Sequence, residues 1–120
     1  IKVIAYSPLA MGVLTGKYSA QNPPSGTRAA RFSRNYLNKL QPLFNKMARI
    51  GNEHHGKTTA QVAINWVIQK GALPIPGAKD ARQAGQNLGA TGWQLTKDEV
   101  LLLEEMSKDL QRSGWIREGI

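Results

Sequence analysis

Residues 58–79 read TTAQVAINWVIQKGALPIPGAK, and the fold turns on what this stretch does. Thr58 or Thr59 supplies the side-chain oxygen that caps a helix start. Apolar positions then nearly encircle residues 60–70, and only Gln61, Asn65 and Gln69 form a polar stripe. A helix this apolar has to be covered by protein over most of its surface. Gly71 suits the left-handed residue that ends such a helix. Leu73 to Ile75 allow only a very short strand, because Pro74 and Pro76 donate no ladder hydrogen bond.

Working outward, residues 2–6 (KVIAY) read as a short buried strand with β-branched Val3 and Ile4 in an apolar run. Residues 19–33 form a loop with Asn22-Pro23-Pro24-Ser25-Gly26 and then Arg28, Arg31 and, just beyond, Arg34. Leu37, Leu40, Leu43, Phe44, Met47 and Ile50 recur at helical spacing and predict a helix over 35–54. Pro42 either kinks it or opens its main part, and Gly56 ends it. Residues 80–88 make a short helix. Thr96 with Glu99 forms a capping box for a last helix over 97–110, with Leu103, Met106 and Leu110 as its apolar edge. Residues 111–120 show no pattern and read as an irregular tail.

Strands alternating with helices imply parallel pairing, because a crossover helix returns the chain to the same edge. Two short parallel strands do not make a stable sheet alone. The reading is therefore an α/β wedge that other protein has to complete. The start at Ile1 rather than Met fits a piece of a longer chain or a processed one.

The 120 residues carry a net charge of +8 and no cysteine, which excludes disulfides and thiolate metal sites. No apolar run approaches the roughly 20 residues that span a bilayer, so no membrane insertion is read. Residues 1–50 hold eight basic and no acidic residues. Such a half attracts an anion, whether a phosphorylated cofactor, a nucleic acid or an acidic protein. Aromatic residues do not interleave with the arginines and no nucleic-acid-binding motif is present, which argues against nucleic acid. His54 and His55 diverge on a helix, and no Cys or spaced carboxylate joins them, so no metal site is expected. The absence of GxGxxG excludes a Rossmann turn.

IAYSPLAMGVLTGKY (residues 4–18), TTAQVAINWVIQKG (58–71) and PIPGAKDARQAGQNLGA (74–90) together resemble the last third of an aldo/keto reductase, in order and in spacing. The plant and algal chloroplast-type members are the most similar. The resemblance covers about residues 2–106. It implies the last two β/α units of a (β/α)8 TIM-type barrel, with residues 2–6 as the seventh strand and 73–75 as the eighth. Active sites of such barrels lie at the C-terminal ends of the strands.

The resemblance also implies NADPH and a small carbonyl substrate, and it places two groups of residues on the cofactor. Tyr6 would lie against the nicotinamide, where a flat ring holds a flat ring. Ser7 and Leu9 would meet the pyrophosphate, with Gly12, Leu14 and Lys17 as flanking positions, Gly12 for close backbone approach and Lys17 for charge. Gly77 and Ala78 would let a phosphate approach a helix start, where free N–H groups and the dipole favour an anion. Lys79 would meet the 2′-phosphate of NADPH, with Arg82 as a second phosphate candidate, and Gln83 and Asn87 would reach the adenosine part. Gln83 stands where some strongly NADPH-selective members carry arginine. Read singly, Tyr6 is also a strand-end core aromatic, Lys79 a surface lysine and Asn87 a helix C-cap.

The family's acid–base set of Tyr, Lys, Asp and His comes from earlier strands. Tyr18 and Tyr36 stand in no matching motif, so no catalytic residue is assigned. The expected function is carbonyl reduction by the complete protein, this chain supplying cofactor-binding parts. The alternative is an inactive, reductase-derived subunit docked in a larger complex. Chloroplast or cytoplasm is implied by resemblance alone.

Overall fold

The computed structural model of the chain describes residues 4–6, 19, 21–23, 25–26 and 33–112. The elements run β1 (Ile4–Tyr6), α1 (Arg34–Glu53), α2 (Thr59–Gln69), β2 (Leu73–Ile75), α3 (Ala81–Leu88) and α4 (Lys97–Arg112). β1 and β2 pair in parallel, Ile4 opposite Leu73, Ala5 opposite Pro74 and Tyr6 opposite Ile75. The crossover between them is the α1–α2 pair.

α1 starts on Ser33, whose hydroxyl accepts the Tyr36 N–H at 3.1 Å. Its apolar stripe, Leu37, Leu40, Leu43, Phe44, Met47 and Ile50, is buried as the spacing predicts. Pro42 lies inside one continuous helix. Its ring removes the bond to the Asn38 carbonyl, and both residues are exposed, so water can take that carbonyl. The helix ends differently from the expectation. His54 is the C-cap, and His55 takes a left-handed φ of 64° before Gly56 at 77°. The two histidines therefore sit in a turn, not on a helix.

Gly51 allows that turn to fold back. The Lys57 N–H donates to the Gly51 carbonyl at 2.8 Å. A Cβ at Gly51 would lie 2.0 Å from the Lys57 carbonyl oxygen, which no side chain can tolerate.

α2 opens on a capping box between Thr58 and Gln61, which decides between the two threonines. It ends in a Schellman turn: Gly71, at φ 83°, donates to Ile68, and Ala72 donates to Val67. Val62, Ala63, Ile64 and Asn65 are buried, while residues 66–69 are only partly covered. The hydrophobic core joins α1 and α2 to Leu95 and to Leu103 of α4, with Trp66, Trp93, Val100, Met106 and Leu110 around it. Thr96 and Glu99 exchange the two bonds of the expected capping box, at 2.8 and 3.1 Å. α4 continues through Arg112, two residues into the expected tail; residues 113–120 lie outside the described set.

Candidate functional site

The parallel register carries the geometry of the site. Tyr6 and Ile75 are paired, so the chain leaves both strands at the same end of the sheet. Tyr6 and Ile75 therefore close the two strands side by side, one strand spacing apart. Ser7, Leu9, Gly12, Leu14 and Lys17 lie outside the described residues, as do Arg28 and Arg31. Of Tyr6 the backbone position is given, at the exit of β1.

Beyond β2, local hydrogen bonds shape residues 76–88. Asp80 is the N-cap of α3, its Oδ1 accepting the Gln83 N–H at 2.8 Å. Gln83 reaches back, its Oε1 accepting the Lys79 N–H at 2.7 Å. Asn87 Nδ2 donates to the Gly77 carbonyl at 3.2 Å. One face of α3 thus holds the segment 77–79 at both ends. Asn87 is not the C-cap of α3, a position that Gly89 takes.

The donors at this helix start fit a phosphate. The first-turn N–H groups of Ala81 and Arg82 have no intrahelical acceptor. Lys79 and Arg82 are exposed, and among the described residues neither is ion-paired. Among the described residues a Cβ at Gly77 would meet nothing within 4 Å, so their packing does not require glycine there. Open space beside the backbone is what a close-approaching group needs. The Asp80 carboxylate, as N-cap, opposes an anion on the helix axis.

Behind α3 lies an apolar groove of about 670 Å³ between α2, β2 and α3. Ile64, Ile68, Leu73, Pro74, Ala84 and Leu88 line it. Ala78 and Asn87 of the candidate segment and Thr91 also border it, and its apolar wall stands open, with Leu88 70% and Leu73 49% exposed.

Three features escape a reading of the sequence. The polar stripe of α2 does not face solvent as a unit. Asn65, 1% exposed, donates to the carbonyls of Ala90 and Trp93, both at 2.9 Å, and accepts the Leu95 N–H at 3.1 Å. Gln61 Nε2 donates to the Gln86 carbonyl at 2.9 Å. Its four-residue spacing from Asn65 was the available signal, but the partners lie some 25 residues away.

The second is a carboxylate on His54, where none was expected. Glu99 Oε1 stands 2.7 Å from His54 Nε2, beside Trp93, whose ring centroid is 5.0 Å from that of His54. Burial pushes the Glu99 carboxyl up, but the Thr96 N–H and the hydrogen bond and charge of His54 outweigh it and hold it below the ordinary carboxylate range. The third is Tyr36, which sits in the core with its phenol pushed up by burial. That environment suits packing and not proton transfer.

The model of the aldo/keto reductase family matches residues 1–108. The chain is 50% identical over 113 residues to the chloroplastic pyridoxal reductase of Arabidopsis thaliana, covering 94% of this chain and 30% of that protein. It is 32% identical over 123 residues to a probable NAD(P)H-dependent D-xylose reductase of Aspergillus flavus, covering 100% of this chain and 33% of the relative. It is 30% identical over 120 residues to the aldo-keto reductase str7 of Strobilurus tenacellus, covering 95% and 35%. The chain thus spans about a third of the length of these curated relatives. Members of the family are oxidoreductases built on a (β/α)8 barrel, and a parallel strand pair with a helical crossover is consistent with part of one. The chain belongs to the aldo/keto reductase family.

Proposed function

We propose that this chain is the cofactor-binding side of an NADP-dependent aldo/keto reductase that reduces aldehydes or ketones. In this reading β1 and β2 are the seventh and eighth strands of the barrel. Residues 6–17 receive the nicotinamide and pyrophosphate, and residues 77–87 receive the adenosine and its 2′-phosphate. The observation that supports it best is the parallel register, which starts both segments at one end of the sheet. The open side of Gly77 and the exposed cations at 79 and 82 support the phosphate end.

When bound, the nicotinamide supplies the hydride that reduces the carbonyl carbon. The residues of this chain bind and orient. Lys79 places a point charge at the phosphate, and Arg82 adds a second from the first turn of α3. Gln83 and Asn87 hold residues 77–79 in a fixed turn, so the donors are arranged before an anion arrives. In this reading the Tyr6 ring lies against the nicotinamide. The proton for the forming alkoxide comes from residues outside this chain.

Pyridoxal is the first carbonyl to test, because the Arabidopsis relative is named for its reduction, and the plastid is the first compartment to examine. The test is NADPH consumption by the full-length protein against a panel of aldehydes and ketones, with NADH in parallel. Turnover with NADPH supports the reading. Bound NADPH without turnover of any carbonyl overturns the enzymatic part and favours an inactive subunit.

A further inference from the structure

α3 carries the phosphate end of the proposed site, yet it buries none of its own residues. Its position on the protein therefore does not come from a packed apolar face. Polar tethers from α2 take that role. Gln61 holds the Gln86 carbonyl in the last turn of α3. Asn65 takes three backbone groups of the connector that follows, at Ala90, Trp93 and Leu95. Gly89 lets the two elements approach, since a Cβ there would lie 2.2 Å from Gln61 Nε2. The Trp93 indole closes the connector by donating to the Gly89 carbonyl at 2.9 Å.

We infer that Gln61 and Asn65 are positioning residues for nucleotide binding, acting through the C-terminal end of α3 on the donors at its N-terminal end. The inference rests on the cofactor reading above. α3 is short and stiff, with hydrogen bonds joining both of its ends to neighbours. Letting go of the Gln86 end allows the helix to pivot, and a pivot displaces Lys79, Arg82 and the free N–H groups together. Donor geometry at a phosphate is sensitive to such a shift, because each charge-assisted bond is short and directional. Asn65 is the stronger tether, buried and fully satisfied. Gln61, partly exposed, spans the gap with its Nε2 on the Gln86 carbonyl while its Oε1 accepts the Thr58 N–H of the capping box.

The test measures NADPH binding to the full-length protein by fluorescence titration, alongside thermal unfolding. The variants are Gln61→Leu, Gly89→Ala, Asn65→Leu, Asn65→Asp and Lys79→Ala. Gln61→Leu and Gly89→Ala break the same contact from opposite sides, Gln61→Leu also removing the capping-box bond to Thr58, and each is expected to weaken NADPH binding about fivefold to tenfold. In steady-state assays the Michaelis constant for NADPH rises while that for the carbonyl and the turnover at saturating NADPH stay within about twofold. Asn65→Leu is expected to weaken binding at least as much and to lower the melting temperature. Asn65→Asp, which keeps the acceptor and loses the two donations, falls with it. If Asn65 variants do not fold, the Gln61 and Gly89 pair decides.

Wild-type NADPH affinity in Gln61→Leu and Gly89→Ala, whatever their melting temperatures, overturns the positioning role. Lys79→Ala separates the two layers of the argument. If Lys79→Ala weakens NADPH and the tether variants do not, the positioning inference alone fails. If Lys79→Ala also leaves NADPH affinity unchanged, the placement of the nucleotide at α3 fails with it.

Discussion

Helices α1, α2 and α4 meet in a core where Leu37, Val62 and Asn65 are almost fully covered. The other end of the molecule is built on different terms. There β1 and β2 are three residues each, α3 buries nothing, and Leu73 and Leu88 stand open beside an apolar groove. The first region is held by hydrophobic burial, which tolerates no missing neighbour. The second is held by hydrogen bonds at its ends, and it leaves free the donors and backbone edges that a ligand or another protein segment can use. The contrast teaches that the candidate site sits on the part of the chain with the least packing of its own, supported from beneath by the part with the most.

Mutations that strike the packed layer should show the largest effect. Leu37→Ala removes a core side chain that is 1% exposed and should cost about 3 kcal/mol of unfolding free energy, read from urea titration. A loss under about 1 kcal/mol would mean that the helical layer is not the stabilising core. Gly51→Ala should follow closely, at about 2 kcal/mol, because the added methyl meets the Lys57 backbone and not a movable side chain.

Next is the seam between the two helix ends. His54, at the C-cap of α1, and Glu99, in the first turn of α4, each match the dipole they sit on. Glu99 has a lowered carboxyl in the folded protein, so its contribution is present above the ordinary carboxylate range and is lost as pH falls through the lowered value. Glu99→Gln should therefore cost about 1 kcal/mol near neutrality and less in acid, where the wild-type group is itself protonated. Equal costs at pH 7 and pH 3 in matched unfolding titrations would refute the pairing.

The smallest expected effect falls on the open end. Arg82→Ala should leave stability within about 0.5 kcal/mol, since the side chain is exposed and unpaired among the described residues. NADPH affinity should nonetheless drop a few-fold. A stability loss without an affinity loss would reverse the roles given to the two regions.

Much of this layout was legible beforehand, and the reasons are local. The α1 stripe, a threonine cap on α2, the Thr96 capping box, the Gly71 turn and the Leu73–Ile75 strand follow from spacing and backbone chemistry within a few residues. Helix ends were less legible. His55 occupies a left-handed conformation that a reader assigns first to Gly56, because the turn back to Lys57 needs both residues. Long-range polar contacts were not legible at all. Nothing in local pattern pairs His54 with Glu99, 45 residues away, or Asn65 with the connector after α3. The expectation of a site at 77–87 rested on resemblance, and no local pattern announced the bonds from Gln83 to Lys79 and from Asn87 to Gly77.

The most direct measurement is a crystal structure of the full-length protein with NADP+. The account predicts one extended nucleotide at the shared end of β1 and β2, its 2′-phosphate within hydrogen-bond distance of Lys79 or Arg82 and its nicotinamide against Tyr6. A nucleotide bound elsewhere, or one whose two ends cannot reach both segments, would contradict it.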